Sequence, residues 1–475
     1  MNGYSDIVIG LQYGDEGKAR VIDDMASDYT VVARFNGGAN AGHTIEAKGL
    51  RLALRQVPSG VLYESMDLYV GSGCVIDIIK LAEEITNIEA QGIILKNRLR
   101  FSPQAGLVQP HHILMDTILG KEVGTTKNGI GPAYADRALR MNGKNTVNLR
   151  LCDLLDNEEN CFSLMQANYD YADSLYHFPS FDLPSHFTKM RAALEKVKDF
   201  FEEDVLYLYK KAEVGAKVLF EGAQSYMLDV NKGSVPFVTS SATCAPAAYT
   251  GGDLPPNFHH KTIGVVKALM SRVGHGPFVS EFGGKKSEDY CMAVNENGDS
   301  INNRETESIL PVETLLQSED DFEVGKAFRV LSREYGTVTG RPRRIGILDL
   351  VQLSHAVKSN GVEEIVITKC DLLQFYSKTK EGKIPLVVGY ELEGKNIDYI
   401  PASTAAYARV RPIYSWEESF TEDLTGMRTK EELPKNLLTL LQKIETQAGC
   451  RIRGISVGPN RDQYISMQAD RPAKQ

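Results

Sequence analysis

The sequence predicts an α/β protein, because short apolar runs alternate with glycine-containing loops and amphipathic helices. The first run, Asp6–Leu11, is followed by a loop with glycines and then by a helix that carries Val21 and Met25. A strand, a glycine-rich loop and a helix in this order are typical of a nucleotide-binding α/β unit. Similar runs predict strands at residues 31–35, 68–70, 217–220, 262–266, 364–368 and 451–456. Polar and glycine residues follow these strands, at the sheet edge where α/β proteins bind ligands.

The remaining stretches predict helices and one insertion. Apolar residues recur at helical spacing at Ile78, Ala82 and Ile85 and again at Leu437, Leu441 and Ile444, and residues 185–213 are charged and periodic. Residues 282–325 are polar and acidic, so we expect a surface insertion there. Large α/β enzymes often form one core with insertions, and we expect residues 1–475 to form a single domain of this kind.

The composition is that of a globular protein that can form a full hydrophobic core. Hydrophobic residues make up 42% and charged residues 24% of the 475 residues. The formal net charge is −9, and no basic stripe appears, which argues against a nucleic-acid-binding protein. A small anionic ligand stays compatible with this charge, because a site can be locally basic in an acidic protein.

Cysteine usage and the N-terminus predict a cytoplasmic protein. The seven cysteines are scattered and form no C-x-x-C pair, which argues against a zinc site or a disulfide framework and suits a reducing compartment. The N-terminal residues lack the basic and apolar regions of a signal peptide. No apolar stretch reaches the roughly 18 residues of a membrane span, so no membrane association is expected.

The loop after the first predicted strand is a candidate phosphate site. Residues 14–18 read Gly-Asp-Glu-Gly-Lys, and such a loop can turn backbone N–H groups and a lysine toward phosphate oxygens. However, the glycine spacing is longer than in a P-loop, and Ala19 follows Lys18 where a P-loop has Ser or Thr. Considered alone, this loop is equally well explained as a structural turn.

Two further glycine clusters contain polar residues suited to phosphate. Residues 37–44 follow a predicted strand and include three glycines and His43, a placement that favours contact with a reacting phosphate over a structural role. Residues 124–132 contain paired threonines beside glycines, whose hydroxyl and N–H groups can donate to a phosphate. The second cluster is also explained by an ordinary solvent-exposed loop.

Two later motifs carry charge. Residues 336–344 form a glycine- and threonine-containing loop with three arginines, and arginine suits bidentate binding of carboxylates and phosphates. In an acidic protein this cluster favours a functional role over a solvated surface. Lys369 and Asp371 follow a predicted strand, where a carboxylate can accept hydrogen bonds from guanine. Lysine and aspartate at a strand end are common, so this motif alone is not specific.

These five motifs, in this order and at this spacing, resemble those of the adenylosuccinate synthetase family, and the resemblance extends from Ile7 to about Ile465. The resemblance implies a largely parallel central sheet with flanking helices and long active-site loops, in a fold related to that of P-loop proteins. It also implies a homodimer in which one arginine reaches into the site of the partner subunit.

The resemblance implies a two-step reaction. The γ-phosphoryl group of GTP moves to O6 of inosine monophosphate (IMP), and the amine of L-aspartate then displaces phosphate to give adenylosuccinate. Because O6 is a poor nucleophile until N1 loses its proton, a general base must face N1. The migrating phosphoryl group carries spread negative charge, so hydrogen-bond donors must surround it.

The resemblance also assigns roles to residues of this chain. The implied catalytic residues are Asp15 as the general base, with His43, Lys18 and Gln224 around O6 and the phosphoryl group. IMP is expected to bind Asn40, Thr126, Gln224, Thr239 and an Arg140 donated across the dimer, and aspartate to bind Thr339, Arg341 and Arg343. GTP is expected to bind Gly14, Glu16, Gly17, Lys18, Gly42, Thr44, Lys369, Asp371, Ser456 and Gly458, and Mg²⁺ to bind the carboxylate of Asp15 and the carbonyl of Gly42.

Several positions depart from the family pattern. Tyr13 replaces a tryptophan, Ala19 and Arg20 replace Gly-Lys, Lys127 and Asn128 replace Gly-Arg, Ser225 and Tyr226 replace Gly-Thr, His275 replaces a small residue, and Asn460 replaces an aspartate. Because Asp15 and His43 are intact, these changes bear on substrate detail more than on the type of reaction.

Three other interpretations remain open. A related ligase could act on GMP or dGMP and give a 2-amino-adenylosuccinate, although a carboxylate at Asp15 would crowd the 2-amino group of guanine. A non-catalytic GTP-binding paralogue would be expected to lack Asp15 or His43, and both are present. A generic α/β phosphate-binding protein explains each loop singly but not their order.

Overall fold

The computed structural model describes residues 3–47, 50–120, 124–296, 300–336 and 340–468, and for residues 43–47, 50 and 51 the description covers the backbone alone. The strands in these ranges are β1 (Tyr4–Gly10), β2 (Val31–Arg34), β3 (His43–Ala47), β4 (Leu50–Leu54), β5 (Asp67–Val70), β6 (Val75–Ile76), β7 (Leu99–Phe101), β8 (Gly106–Leu107), β9 (Met141–Asn142), β10 (Asn145–Thr146), β11 (Lys217–Ser225), β12 (His259–Lys267), β13 (Leu269–Arg272), β14 (Arg344–Ile347), β15 (Glu364–Thr368), β16 (Lys383–Leu392), β17 (Lys395–Ile397), β18 (Arg411–Glu418), β19 (Arg451–Ser456) and β20 (Tyr464–Ser466).

Helices pack on both sides of these strands and in the connections between them. The α-helices are α1 (Lys18–Ala26), α2 (Ile78–Glu89), α3 (Pro110–Leu119), α4 (Ile130–Leu139), α5 (Leu151–Asp156), α6 (Glu158–Tyr176), α7 (Leu183–Val197), α8 (Tyr207–Glu213), α9 (Ala247–Gly251), α10 (Gly284–Met292), α11 (Arg304–Ser308), α12 (Val312–Leu316), α13 (Asp321–Ser332), α14 (Leu350–Asn360), α15 (Thr404–Tyr407) and α16 (Lys435–Ala448). Short 3₁₀ helices lie at Ser59–Leu62, Lys198–Phe200, Tyr226–Leu228, Pro256–Phe258, Cys370–Lys378, Leu424–Gly426 and Lys430–Glu432.

The central sheet is largely parallel, as expected. Within the described residues its order is β20-β19-β15-β12-β1-β11-β2-β5-β7, and only the edge pair β19–β20 is antiparallel. Strand β1 lies between β11 and β12 and runs parallel to both. The strands that follow β1 in the chain therefore extend the sheet on both sides of it. A position from which the chain extends a sheet in both directions is a topological switch point, where α/β sheets bind ligands, and the loop after β1 lies there.

Most predicted strands are confirmed, because parallel strands buried on both faces read as continuous apolar runs. β15 and β19 have the predicted bounds, and β1, β2, β5 and β12 overlap their predictions closely. The prediction for β11 was too short, because the strand continues through Glu221 to Ser225. Glu221 is buried in the strand, where its carboxylate accepts from the backbone N–H of Ser59 at 2.8 Å.

The acidic segment 282–325 differs from a polar surface loop. It contains helices α10, α11 and α12 and the first turns of α13. Phe282, Leu316 and Val324 are buried and belong to the main apolar core, and Phe322 is buried beside them. Most of its polar residues lie on the outer side of a helical layer that packs on the core, whereas Ser287 and Glu307 are buried.

The other predicted helices are present. α2 and α16 bury the apolar faces that their sequences predict, and residues 185–213 fold largely as α7 and α8. Across the described ranges, no helix combines the length and apolar character needed to cross a membrane.

Candidate active site

A cavity of about 530 Å³ opens beside the switch point at the carboxyl ends of the central strands. It is bounded by the loops after β1 and β2, by the segment that follows β11 and by the turn after β13. The sequence-predicted site residues that line it are Gly14, Asp15, Gly17, Lys18, Asn40, Gly42, Thr126, Gln224 and Thr239. Residues from all three N-terminal motifs thus meet in one place.

The loop after β1 is held in shape by a buried carboxylate. Glu16 accepts backbone N–H hydrogen bonds from Gln12 at 3.2 Å and from Gly14 at 2.8 Å. The backbone of the loop is left-handed at Gly14, Asp15 and Gly17, with φ values of 99°, 57° and 91°. Because the Glu16 side chain is turned inward and does not line the cavity, only its backbone remains for the predicted contact with GTP.

Lys18, the predicted phosphate-binding lysine, is held in place by buried polar groups. Lys18 Nζ lies 2.8 Å from Glu16 Oε2 and 3.3 Å from the hydroxyl of Ser225, which itself donates to Glu16 Oε2 at 2.6 Å. Burial alone would raise the pKa of Glu16, but the charges of Lys18 and Lys267 outweigh it and hold the pKa below its usual value. The lysine is therefore a fixed positive charge at the wall of the cavity.

The predicted general base is paired with an arginine. Asp15 Oδ2 lies 2.9 Å from Arg343 Nη2, and 41% of the Asp15 side chain is still exposed to the cavity. Burial opposes ionisation of Asp15, but Arg343 and Lys267 outweigh it, so the pKa lies below that of an ordinary aspartate. Asp15 is thus an ionised acceptor near neutral pH.

The loop after β2 supplies the second wall. Gly37 adopts a left-handed φ of 80°, and the side-chain oxygen of Asn40 accepts the backbone N–H of Gly38 at 3.1 Å. Gly42 lines the cavity directly before strand β3. His43 and Thr44 begin that strand, but their side chains lie outside the described part of the structure, so their assigned roles remain predictions.

The third wall comes from residues 224–240. Gln224 has a left-handed φ of 55°, and its buried Oε1 has no hydrogen-bond partner among the described residues. An unpaired buried amide oxygen on a cavity wall is well suited to a ligand, because leaving it unpaired costs free energy. Thr126 and Thr239 face the same space, and Thr126 accepts a hydrogen bond from Asn128 at 2.9 Å.

The predicted guanine residues gather beside this cavity rather than in its lining. Arg20 on α1 donates to the carbonyls of Gly458 and, at 2.5 Å, Asn460, and it borders both the main cavity and a small pocket that contains Ser456. Lys369 and Asp371 follow the neighbouring strand β15. Burial raises the pKa of Asp371, while the charges of Lys369 and Arg20 oppose that shift.

The arginine loop is only partly brought to the cavity. Arg343 contacts Asp15, whereas Arg341 donates from Nε to the carbonyl of Cys291 at 2.8 Å and does not line the cavity. Thr339 lies outside the described residues. Arg140 ends helix α4, is exposed and is not in the lining either.

Several residues of the site were missed by the motifs. Arg272 and His275 line the cavity, and Lys267 and Glu334 lie behind Asp15 and Arg343. Lys267 ends β12 and Arg272 ends β13, so a charged residue at a strand end was the available signal for both. Glu334 lies two residues before the arginine-containing loop, but nothing in its local sequence indicates a buried ion pair.

Comparison with known proteins agrees with this geometry. The family model described as adenylosuccinate synthetase matches residues 7–465. The chain is 44% identical over 463 residues to adenylosuccinate synthetase 2 of Cupriavidus pinatubonensis, and the match covers 97% of each chain. A structure of fully ligated adenylosuccinate synthetase from Plasmodium falciparum has a TM-score of 0.83 and 30% identity, covering 98% of this chain and all of that one.

A more distant structural neighbour shares the fold alone. The succinoaminodeoxyadenylate synthetase of cyanophage S-2L, bound to dGMP and to dATP as an energy donor, has a TM-score of 0.57 and 17% identity. The similarity covers 98% of this chain and 96% of the phage protein.

Proposed function

We propose, since the chain belongs to the adenylosuccinate synthetase family, that it is a GTP-dependent ligase that joins L-aspartate to IMP and gives adenylosuccinate. The observation that carries this proposal is one cavity lined by an ionised Asp15, the fixed Lys18 and Gln224, whose buried side-chain oxygen has no partner among the described residues. These groups supply a base, a phosphate-binding charge and an amide for a purine ring.

Asp15 acts as the general base in this proposal. Its carboxylate takes the proton from N1 of IMP, so that O6 can attack the γ-phosphorus of GTP in line with the departing GDP oxygen. A pKa below the usual aspartate value keeps Asp15 ionised near neutral pH, which is the form a general base requires. Lys18, His43 and Gln224 stabilise the charge that develops on O6 and on the phosphoryl oxygens.

Aspartate then completes the reaction. Its amine attacks C6 of the 6-phosphoryl intermediate, and inorganic phosphate departs with the former O6 atom. Thr339, Arg341 and Arg343 are the proposed ligands of the aspartate carboxylates, and Asn40, Thr126 and Thr239 of IMP. The remaining proposed ligands bind GTP: Gly14, Gly17, Gly42, Thr44, Lys369, Asp371, Ser456 and Gly458, with the backbone of Glu16.

The donor set fits a magnesium ion. The carboxylate of Asp15 and the backbone of Gly42 border the same cavity, and hard oxygen ligands of this kind are those that Mg²⁺ prefers. When bound there, Mg²⁺ would neutralise phosphate charge. Asp15, Gly42 and the fixed Lys18 would together hold the triphosphate against the loop after β1.

We further propose a cytoplasmic homodimer. Arg140 lies at an exposed turn between Leu139 and Met141, whose side chains are 55% and 52% exposed. A subunit interface at this turn would cover both exposed apolar residues, which supports the proposal. An Arg140 that reaches the site of the partner subunit explains why it does not line the cavity of its own chain. The seven unpaired thiols suit a reducing compartment.

A guanylate substrate is the competing proposal, favoured by the substitutions at Ser225, Tyr226 and His275. Two of these side chains are engaged elsewhere, because Ser225 donates to Glu16 and the hydroxyl of Tyr226 lies 3.2 Å from His355. Only His275 lines the cavity. In the proposed role the Asp15 carboxylate faces N1 of the purine and would crowd the adjacent 2-amino group of guanine, which favours IMP.

A substrate panel tests the proposal. Steady-state phosphate release is measured with IMP, GMP or dGMP, each with aspartate and GTP, and the product is identified by mass spectrometry. We expect turnover with IMP at the highest kcat/KM. Faster turnover of a guanylate would establish the competing function, and no phosphate release with any of the three nucleotides would establish a non-catalytic paralogue.

A further inference from the structure

The buried carboxylate of Glu334 contacts residues from two parts of the site, the arginine loop beside Asp15 and the proposed guanine subsite. Glu334 is 2% exposed, and its two oxygens have different partners. Oε2 accepts from Arg343 Nη1 at 2.5 Å, and Oε1 accepts from Lys369 Nζ. Arg343 in turn holds Asp15, and Lys369 belongs to the proposed guanine subsite.

The backbone reinforces this arrangement. The N–H of Arg343 donates to the carbonyl of Glu334 at 3.0 Å, and a bridge between Tyr335 and Pro342 continues the pairing. Glu334 and Arg343 therefore close the base of the loop that contains the proposed aspartate ligands.

A third cation lies behind the same carboxylate. Lys267 Nζ is fully buried, 3.5 Å from Glu334 Oε1, and its backbone N–H donates to the side chain of Gln12 at 2.9 Å. The positive charges of Lys267, Lys369 and Arg343 outweigh the effect of burial and hold the pKa of Glu334 well below its usual value. The negative charge of Glu334 thus lies among three cations, one of which, Arg343, also contacts Asp15.

We propose that Glu334 is a positioning residue that couples the guanine-nucleotide subsite to the purine-base subsite, through Lys369 on one oxygen and Arg343 on the other. Without its charge, Arg343 would bind Asp15 alone and hold it away from the purine. Lys369 would lose its charged partner and keep only the carbonyl of Ser332, at 3.2 Å, among its partners in the described residues. The identity of the two subsites rests on the function proposed above.

Coupling between the two subsites can be measured as a ratio of affinities. If a nucleotide in one subsite changes the affinity for a ligand of the other, that ligand changes the affinity for the nucleotide by the same factor. Isothermal titration calorimetry on the full chain gives the affinity for IMP without GDP and with saturating GDP and Mg²⁺. We expect GDP to raise the affinity of the unchanged protein for IMP about tenfold. We expect this ratio to fall to about one in Glu334→Gln, with kcat reduced about 100-fold.

Glu307→Gln is the matched control. Glu307 is equally buried, accepts from Arg329 at 2.5 Å and from the hydroxyl of Tyr335 at 2.6 Å, and does not border the cavity. Glu307→Gln also removes a buried charge, and it does so beside Tyr335, the neighbour of Glu334. We therefore expect it to lower stability but to keep the wild-type ratio of IMP affinities with and without GDP. Loss of coupling in both variants would mean a general structural effect and would overturn the proposal.

Two further outcomes are decisive. The proposal is also overturned if Glu334→Gln folds and keeps the wild-type affinity ratio. It is overturned as well if GDP does not change the affinity of the unchanged protein for IMP. If Glu334→Gln does not fold, Glu334→Asp replaces it, because aspartate keeps the buried charge but is too short to hold both partners. A wild-type affinity ratio in Glu334→Asp would also overturn the proposal. Because the calorimetry measures binding without turnover, failure of the proposed reaction is detected separately, in the substrate panel. If that panel identifies a guanylate as the substrate, GMP replaces IMP as the purine ligand in the calorimetry.

Discussion

Ser225 donates its hydroxyl hydrogen to Glu16 Oε2 across 2.6 Å, and Lys18 Nζ lies 2.8 Å from the same oxygen. The family resemblance predicts a glycine at position 225, so the hydroxyl is a feature of this chain. It fills the space beside Gly10 and is a second donor, next to Lys18, to Oε2 of the carboxylate that fixes the phosphate lysine.

Removing this hydroxyl should weaken GTP binding selectively. In Ser225→Ala, Glu16 loses a charge-assisted hydrogen bond and Lys18 becomes less fixed, so we expect KM for GTP to rise about fivefold. KM for IMP should stay unchanged in the same steady-state assay. Ser280→Ala is the control, because Ser280 is also fully buried but does not border the cavity. Equal effects on both KM values would contradict the assigned role.

Asp15→Asn should separate chemistry from binding. The amide keeps the size of the side chain but cannot accept the N1 proton, so we expect kcat to fall about 1,000-fold. The affinity for IMP, measured by calorimetry, should change less than about threefold, because the base is needed for the reaction more than for binding. Asp28→Asn, at an exposed position near the end of α1, is the control. Turnover near the wild-type rate in Asp15→Asn would refute the base assignment.

Acid should destabilise the protein through a buried histidine. His112 Nε2 lies 2.9 Å from Asp136, and Nδ1 accepts the N–H of Gln109, so the ring is neutral. Burial, together with the neighbouring His111, lowers the pKa of His112 to about 4, compared with about 6.5 in an unfolded chain. Between these values the unfolded state binds more protons, so the stabilisation is complete above pH 6.5 and is lost as the pH falls to 4.

Urea unfolding from pH 7 to pH 4 measures this loss. His112 should contribute about 3 kcal/mol to the fall in the free energy of unfolding. His112→Gln should remove that part of the pH dependence, although its stability at pH 7 is lower. His177→Asn is the control, because His177 is exposed and its left-handed φ of 51° is tolerated by asparagine. Parallel curves for His112→Gln and the unchanged protein would contradict this explanation.

The sequence predicted those parts of the fold and site in which adjacent residues carry the signal. Strands β15 and β19 are apolar runs with polar ends, and the loops that contain Asp15 and Asn40 follow strands in the expected way. β11 was predicted too short because Glu221 looks like a loop residue. Its burial depends on Ser59, which lies 162 positions away in the chain.

Residues that act through distant partners were not predictable. Glu334 has no distinctive local pattern, because its partners Lys369 and Lys267 lie 35 and 67 positions away. The family resemblance assigns Arg341 to aspartate, which stays a prediction, and here its Nε donates to the carbonyl of Cys291. Side-chain direction depends on packing that a motif does not record.

Arg140 should act in the site of the partner subunit, and mixing two inactive variants tests this directly. Arg140→Leu keeps Asp15, and Asp15→Asn keeps Arg140, so a mixed dimer contains one site with both wild-type groups. After joint unfolding and refolding in equal amounts, activity should return to about a quarter of the wild-type rate, because half of the dimers are mixed and each has one complete site. Each variant refolded alone is the control. If Arg140 acted within its own chain, every site would lack one group and the mixture would stay as inactive as its components.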